Sequence, residues 1–203
     1  MTKRDGRRGP ISATELMAEL ANDPGYQRAI QQQDAEFQAM DEALARAEQP
    51  ILADLHEAGI EVESVWDLVN TSDPYPAALP VLMNHFERGG YPERVMESLG
   101  RALAVEPSVV YWERLKTRWL KARDPGEEDG AAAALAACAT RDQFEDLVEF
   151  LSVEEGGETR IYFIRPILKV GGNRGREVVE ALRSSPVFGK EATALLKARK
   201  NRK

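Results

Sequence analysis

The chain predicts an all-α protein: an α-solenoid of about four antiparallel helix pairs, preceded by a long-helix N-terminal extension. Three observations carry this expectation. Leu99, Ala134, Ile164 and Ala194 recur at spacings of 35, 30 and 30, and Leu103, Cys138, Leu168 and Ala198 follow four residues later at the same spacings. Leu82, Leu115, Leu147 and Val179 form an independent series at 33, 32 and 32. A fixed period of this size marks stacked units that bury their apolar faces only against their neighbours. The third observation is a heptad-like seam, Tyr26, Ile30, Gln33, Phe37, Met40, Leu44, Ala47, Ile51 and Leu55, stepping by 4, 3, 4, 3, 4, 3, 4 and 4.

Residues 1–11 are polar and charged with Gly and Pro, which reads as a disordered basic tail. Residues 12–74 form the helical extension or cap. Ser12-Ala13-Thr14-Glu15 has capping-box spacing, and Asn22-Asp23-Pro24-Gly25 ends the short helix it starts. The seam helix follows, with Pro50 inside it predicting a kink or a fresh start. This helix either packs along its own domain as a cap or pairs as an arm with a partner or a second copy, making a homodimer. Gln33 within the seam would set register in the second case. Ser64 caps a short helix, Val65 to Val69, and Thr71 to Pro76 is a loop.

Residues 75–203 are the repeat domain, ending in a basic tail. Its pairs are expected at about 76–88 with 93–105, 109–122 with 128–140, 141–151 with 159–170, and 175–183 with 189–199. Phe144, Leu147, Val148 and Leu151 make an apolar stripe at helical spacing. Asp142, Glu145, Asp146 and Glu149 make an acidic stripe facing water on the same helix. Pro166 predicts a kink in the partner helix.

Composition limits the function classes. At 203 residues, 43% hydrophobic and 30% charged, the chain suits one domain, or one domain with an appended arm, of ordinary soluble globular composition. It has no run of about 18 apolar residues, so no transmembrane helix is expected. The basic start leads to Gly9-Pro10 and not to an apolar core, unlike a signal peptide. A lone Cys138 on an apolar helix position fits a buried inert thiol in a reducing cytoplasm. Net charge is −7, with +3 on residues 1–8 and +5 on residues 190–203, so the body between them carries −15. Such a body repels phosphates unless its cations are focused, which disfavours nucleic acid as a partner.

Ala78-Leu79-Pro80-Val81-Leu82 in a first helix and Ser98-Leu99-Gly100-Arg101-Ala102-Leu103 in a second resemble HEAT-like repeats. Gly171-Gly172-Asn173 opens the last pair in the same manner. Val65-Trp66-Asp67-Leu68-Val69-Asn70-Thr71, followed by Tyr75-Pro76, is similar to bacterial HEAT-repeat proteins of unassigned role. The period is shorter than the roughly 40 to 47 residues of typical HEAT and armadillo units, while tetratricopeptide and ankyrin signatures are absent. The resemblance implies macromolecular recognition on a concave surface lined by second helices. It transfers no catalytic residue, and no cofactor is expected.

His56 and His85 have no Cys, His or carboxylate spacing that reads as a metal box. Gly171-Gly172-Asn173-Arg174-Gly175 sits where the repeat needs a turn, with an anion site as the alternative. Arg94 and Arg101 lie off the apolar line of their helix, as do Arg160, Arg165 and Lys169 in the third pair; Lys190, Lys197, Arg199 and Lys200 extend the series. Together they outline a basic groove, which Glu93 and Glu97 weaken at one end. Tyr162 and Phe163 are adjacent, so one must point away from the core and can anchor an interface beside Arg160. Trp112 and Trp119 share a helical face and with Tyr111 read as core, or else as a base-stacking platform. The candidate partner-binding residues are therefore Arg94, Arg101, Arg160, Tyr162, Arg165 and Lys169. The first reading is a non-catalytic adaptor or scaffold for an unidentified protein partner. An inhibitor or immunity-type partner of a basic protein is the alternative, and a HEAT-like DNA glycosylase-type protein the third reading.

Overall fold

The computed structural model describes residues 12–200. The expected basic tail at 1–11 lies outside them. The described chain is helical, and no strand occurs among the described residues. It divides into two compact units, one ending at Ala43 and one beginning at Leu44.

In the first unit, α1 spans Ala13–Ala21. The turn after it is held by Asp23, whose Oδ1 accepts from the Gly25 N–H at 2.7 Å. Helix α2 then runs Pro24–Glu57 and carries the seam across the unit boundary. It continues through Pro50 as one helix, so the expected fresh start is absent. Pro50 removes one N–H bond and costs about 3 kcal/mol in a helix interior. Burial of Ile51 and Leu55 immediately beyond it, both 0% exposed, offsets that loss.

In the second unit, α3 (Val65–Asn70) starts from a capping box: the Ser64 hydroxyl accepts from the Trp66 N–H and Asp67 accepts from the Ser64 N–H. Four helix pairs follow. They are α4 (Ala78–Arg88) with α5 (Glu93–Ala102), α6 (Trp112–Leu120) with α7 (Pro125–Cys138), α8 (Phe144–Phe150) with α9 (Ile164–Val170), and α10 (Gly172–Ala181) with α11 (Gly189–Lys200). Packing is between neighbours. Each helix meets its own pair mate, α3 lies on α5, α5 on α7, and α7 on α9 and the 3₁₀ segment Glu154–Phe163.

The first-helix series is fully buried at all four positions, Leu82, Leu115, Leu147 and Val179. The second-helix series is buried through Leu99, Ala134 and Ile164, but Ala194 and Ala198 are exposed. In α11 the buried residue is Ala192, two positions earlier, with Leu195 and Leu196 half-buried. Ala194 and Ala198 lie on the exposed face of α11. The alanine spacing there carries no burial.

Two features make the helix contacts close. Gly100 on α5 meets Gly130 on α7 backbone to backbone: a Cβ on Gly100 would sit 2.4 Å from the Gly130 carbonyl carbon. A Cβ on Gly126 would sit 2.3 Å from the Glu93 carbonyl oxygen. An aromatic cluster fills the space between α6, α8 and the 3₁₀ segment. Trp119, Phe150 and Phe163 lie with ring centroids 4.9 Å apart pairwise, and Trp112 stacks on Phe150 at 6.0 Å. Both tryptophans are core, as expected from their spacing.

Pro166 does not kink a long second helix. Residues 154–163 form 3₁₀ turns broken at Gly157, and α9 begins at Ile164, which puts Pro166 in the first turn, where its missing N–H has no helical acceptor to lose. The proline ring would clash with the Tyr162 carbonyl of a longer α-helix, so the sequence moves the helix start and avoids the bend.

The acidic stripe of α8 is also not left to water as a whole. Asp146 accepts from the Trp112 indole N–H at 2.6 Å and pairs with Lys116 at 3.1 Å, while Glu145 pairs with Arg174. Glu87 on α4 pairs in the same way with Arg114 on α6 at 2.6 Å. Each first helix is therefore tied to the next by one ion pair. Asp142, Glu145 and Glu149 stay exposed, and only Asp146 is half-buried.

Candidate functional site

The outward face of α7 is lined by small side chains. Ala133, Ala136 and Ala137 are half-buried, and they form one wall of a groove of about 590 Å³. The opposite wall comes from the segment that Pro166 shapes: Ile161 and Tyr162 at the end of the 3₁₀ turn, then Arg165, Pro166 and Lys169 on α9. Glu191 in the first turn of α11 completes the lining. Ile161 is 40% exposed, an aliphatic side chain turned to the groove and not to the core.

The two cations share the groove lining with Glu191 but are not ion-paired to it. Arg165 and Lys169 are exposed and four apart, so they share a face of α9, about 6 Å apart along its axis. Among the described residues neither forms an ion pair. The groove thus has an apolar alanine wall on α7 and two cations on α9.

Tyr162 connects this groove to Arg101. Its hydroxyl donates to Asp129 Oδ1 at 2.7 Å, and Arg101 Nη2 donates to Asp129 Oδ2 at 2.5 Å and reaches the Tyr162 oxygen at 3.5 Å. Arg101 Nε donates to Glu97 Oε1 at 2.7 Å. Burial, and then the hydrogen bond to Asp129, push the Tyr162 phenol above its ordinary range. It acts as a fixed donor. Phe163 is 0% exposed, so the adjacent aromatics divide as expected, with Tyr162 outward and Phe163 inward.

The expected residues therefore separate into four groups. Tyr162, Arg165 and Lys169 come together in the groove. Arg101 stands beside it with its charge spent on Glu97 and Asp129. Arg160 belongs to the scaffold: Nε donates to the Gly157 carbonyl at 2.7 Å, Nη1 donates to the Leu151 carbonyl at 3.3 Å, and the guanidinium lies 5.5 Å from the Phe188 ring centroid. Arg94 is exposed on α5 and does not line the groove. Lys190 and Lys197 are exposed on α11 and also lie off it, while the side chains of Arg199 and Lys200 lie outside the described set. Sequence reasoning missed Ala133, Ala136, Ala137 and Glu191. Alanines at spacing 3 and 4 on one helix signal a small-residue face, and only the fold tells an outward face from a packed one.

Other titratable groups are built into the core. His85, 0% exposed, hydrogen-bonds through Nδ1 to the Tyr91 hydroxyl at 2.6 Å and through Nε2 to Asp54 at 2.8 Å, tying the end of α2 to α4. Burial pushes the Cys138 thiol up from 9.0 to about 12, which leaves it protonated and inert at neutral pH. Trp112, hydrogen-bonded to Asp146, is 5% exposed, and its ring is covered by Phe150 instead of offering a stacking face. Among the described residues no three His, Cys, Asp or Glu side chains converge to hold a metal ion, and no helix is long and apolar enough to cross a membrane.

No family model, curated protein or solved structure matches this chain.

Proposed function

We propose that the protein is a non-catalytic adaptor that holds an acidic segment of a partner protein in the α7–α9 groove. In this reading the helix pairs act as a short HEAT-like solenoid whose second helices supply the recognition face. The single observation that carries it is the pair of cations, Arg165 and Lys169, which form no ion pair and line a groove with the α7 alanines in a chain of net charge −7. Other cations of the fold are paired with neighbours, as with Arg101, Arg114, Lys116 and Arg174, and the exposed Arg94, Lys190 and Lys197 lie off the groove. Carboxylates at i and i+4 of a partner helix, or i and i+2 of an extended strand, match the spacing of the two cations. The alanines leave room for a backbone to approach, and Ile161 offers an apolar contact beside it.

The inhibitor reading loses much of its support, because Asp146 and Glu145 are engaged between helices. Charge reversal tests the adaptor reading. Arg165→Glu with Lys169→Glu is expected to lower binding to a panel of peptides bearing paired Asp or Glu by at least about tenfold. Both residues are exposed and unpaired, so unfolding free energy should move by no more than about 0.5 kcal/mol. Arg94→Glu, off the groove, should bind as wild type does. Equal loss in both variants would mean general electrostatic attraction and no groove.

A further inference from the structure

We propose a second interaction surface, separate from the groove: the α2 seam from Tyr26 to Met40 takes an amphipathic helix of a partner protein whose flanking residues are Lys or Arg. The same seam selects against a second copy of this chain. Tyr26 is 36% exposed, Phe37 52% and Met40 47%, large apolar side chains on one helical stripe. From Leu44 onward the stripe is covered by its own unit: Leu44 and Ala47 are half-buried, and Ile51 and Leu55 are 0% exposed. The free stretch is about two heptads, roughly 22 Å of helix.

The charges beside the stripe identify the occupant. In heptad terms Ile30 and Phe37 take a positions, and Tyr26, Gln33 and Met40 take d positions. The flanking e positions are then Gln27, Asp34 and Asp41, and the g positions Ala29, Glu36 and Ala43. Every charged flank is acidic. Residues at e and g decide which helices pair. A parallel self-pair would set Glu36 of one copy against Asp41 of the other, and an antiparallel one would set the Asp34 and Asp41 rows against each other.

None of Asp34, Glu36 and Asp41 has a cationic partner among the described residues. Glu36 accepts from Gln32 at 2.9 Å, a neutral donor that leaves its charge intact. Basic flanks on the incoming helix satisfy all three carboxylates at once. Gln33, a polar d residue between Phe37 and Ile30, fixes register against a polar partner residue.

The test uses the full chain and two synthetic helical peptides of about three heptads, identical at a and d, with Lys at e and g in one and Glu in the other. Fluorescence anisotropy is expected to give at least about tenfold tighter binding of the Lys-flanked peptide, with the advantage shrinking as salt shortens the screening length. Asp34→Lys, Glu36→Lys and Asp41→Lys combined should switch the preference to the Glu-flanked peptide, and Phe37→Ala with Met40→Ala should lose both. Sedimentation should find the wild-type chain monomeric. Equal binding of the two peptides, binding of neither, or a wild-type dimer abolished by Phe37→Ala with Met40→Ala would overturn the proposal.

Discussion

Replacing Glu127 by alanine is expected to lower the unfolding free energy by about 3–5 kcal/mol, the cost of leaving a buried charge without its partner. Glu127 and Arg118 pair between α7 and α6 with side chains 2% and 12% exposed. Arg118 is also held from α4: Nη1 donates to the Glu87 carbonyl at 3.2 Å, and the guanidinium lies 5.7 Å from the Phe86 ring centroid. Glu127 also serves the start of α7. Its Oε2 accepts from the Arg123 N–H at 3.0 Å, and its own N–H donates to Asp124 at 2.9 Å. Through Arg118, the pair therefore joins α4, α6 and α7. Glu127→Gln keeps the Arg123 bond and removes the charge, so its loss should be smaller than that of the alanine variant. Urea unfolding measures both. A loss below about 1 kcal/mol for Glu127→Ala would mean that water reaches Arg118 and that the pair is in effect a surface one.

Gly100→Ala is expected to cost about 3 kcal/mol, the upper range for overpacking a tight contact. In an open helix the same change would gain roughly 1 kcal/mol, so the sign of the result alone separates the two situations. At Gly100 the added carbon would meet the Gly130 backbone at 2.4 Å, whereas a Cβ on Gly130 would meet its nearest atom, the Gly100 Cα, at 3.0 Å. Gly130→Ala should therefore be the milder of the two. Thermal and urea unfolding of the pair give the order. A neutral or stabilising Gly100→Ala would show that α5 and α7 do not cross at these glycines. The consequence extends to the groove, since α7 carries Ala133, Ala136 and Ala137.

The first helices were legible because their core positions are large aliphatic residues at a constant period, and all of Leu82, Leu115, Leu147 and Val179 are buried. Short-range chemistry was equally legible, as Ser64 with Asp67 shows. The fourth second helix misled because alanine fits an exposed position as well as a packed one, and Ala194 and Ala198 are exposed. Pro166 was visible as a disruption, but whether a proline bends a helix or starts one depends on the residues before it. Here Gly157, at φ 45°, had already ended any α-helical run. Half of the six expected binding residues fall in the candidate site: Tyr162, Arg165 and Lys169 share the groove. Arg101 and Arg160 were not separable from them in sequence. Their fates are set by Asp129, by the Leu151 carbonyl and by Phe188, partners 28, 9 and 28 residues away. The glycine contact between α5 and α7 did leave a trace, Gly126, Gly130 and Ala134 at spacing four, whose meaning needs the facing Gly100.

The most direct measurement for the groove is hydrogen exchange on the full chain with and without the tightest peptide from the acidic panel. Binding there predicts slowed exchange in 133–137 and 161–169, lost together with affinity in the Arg165→Glu, Lys169→Glu variant. Protection confined to α4, α6, α8 and α10, with those two segments unchanged, would contradict it.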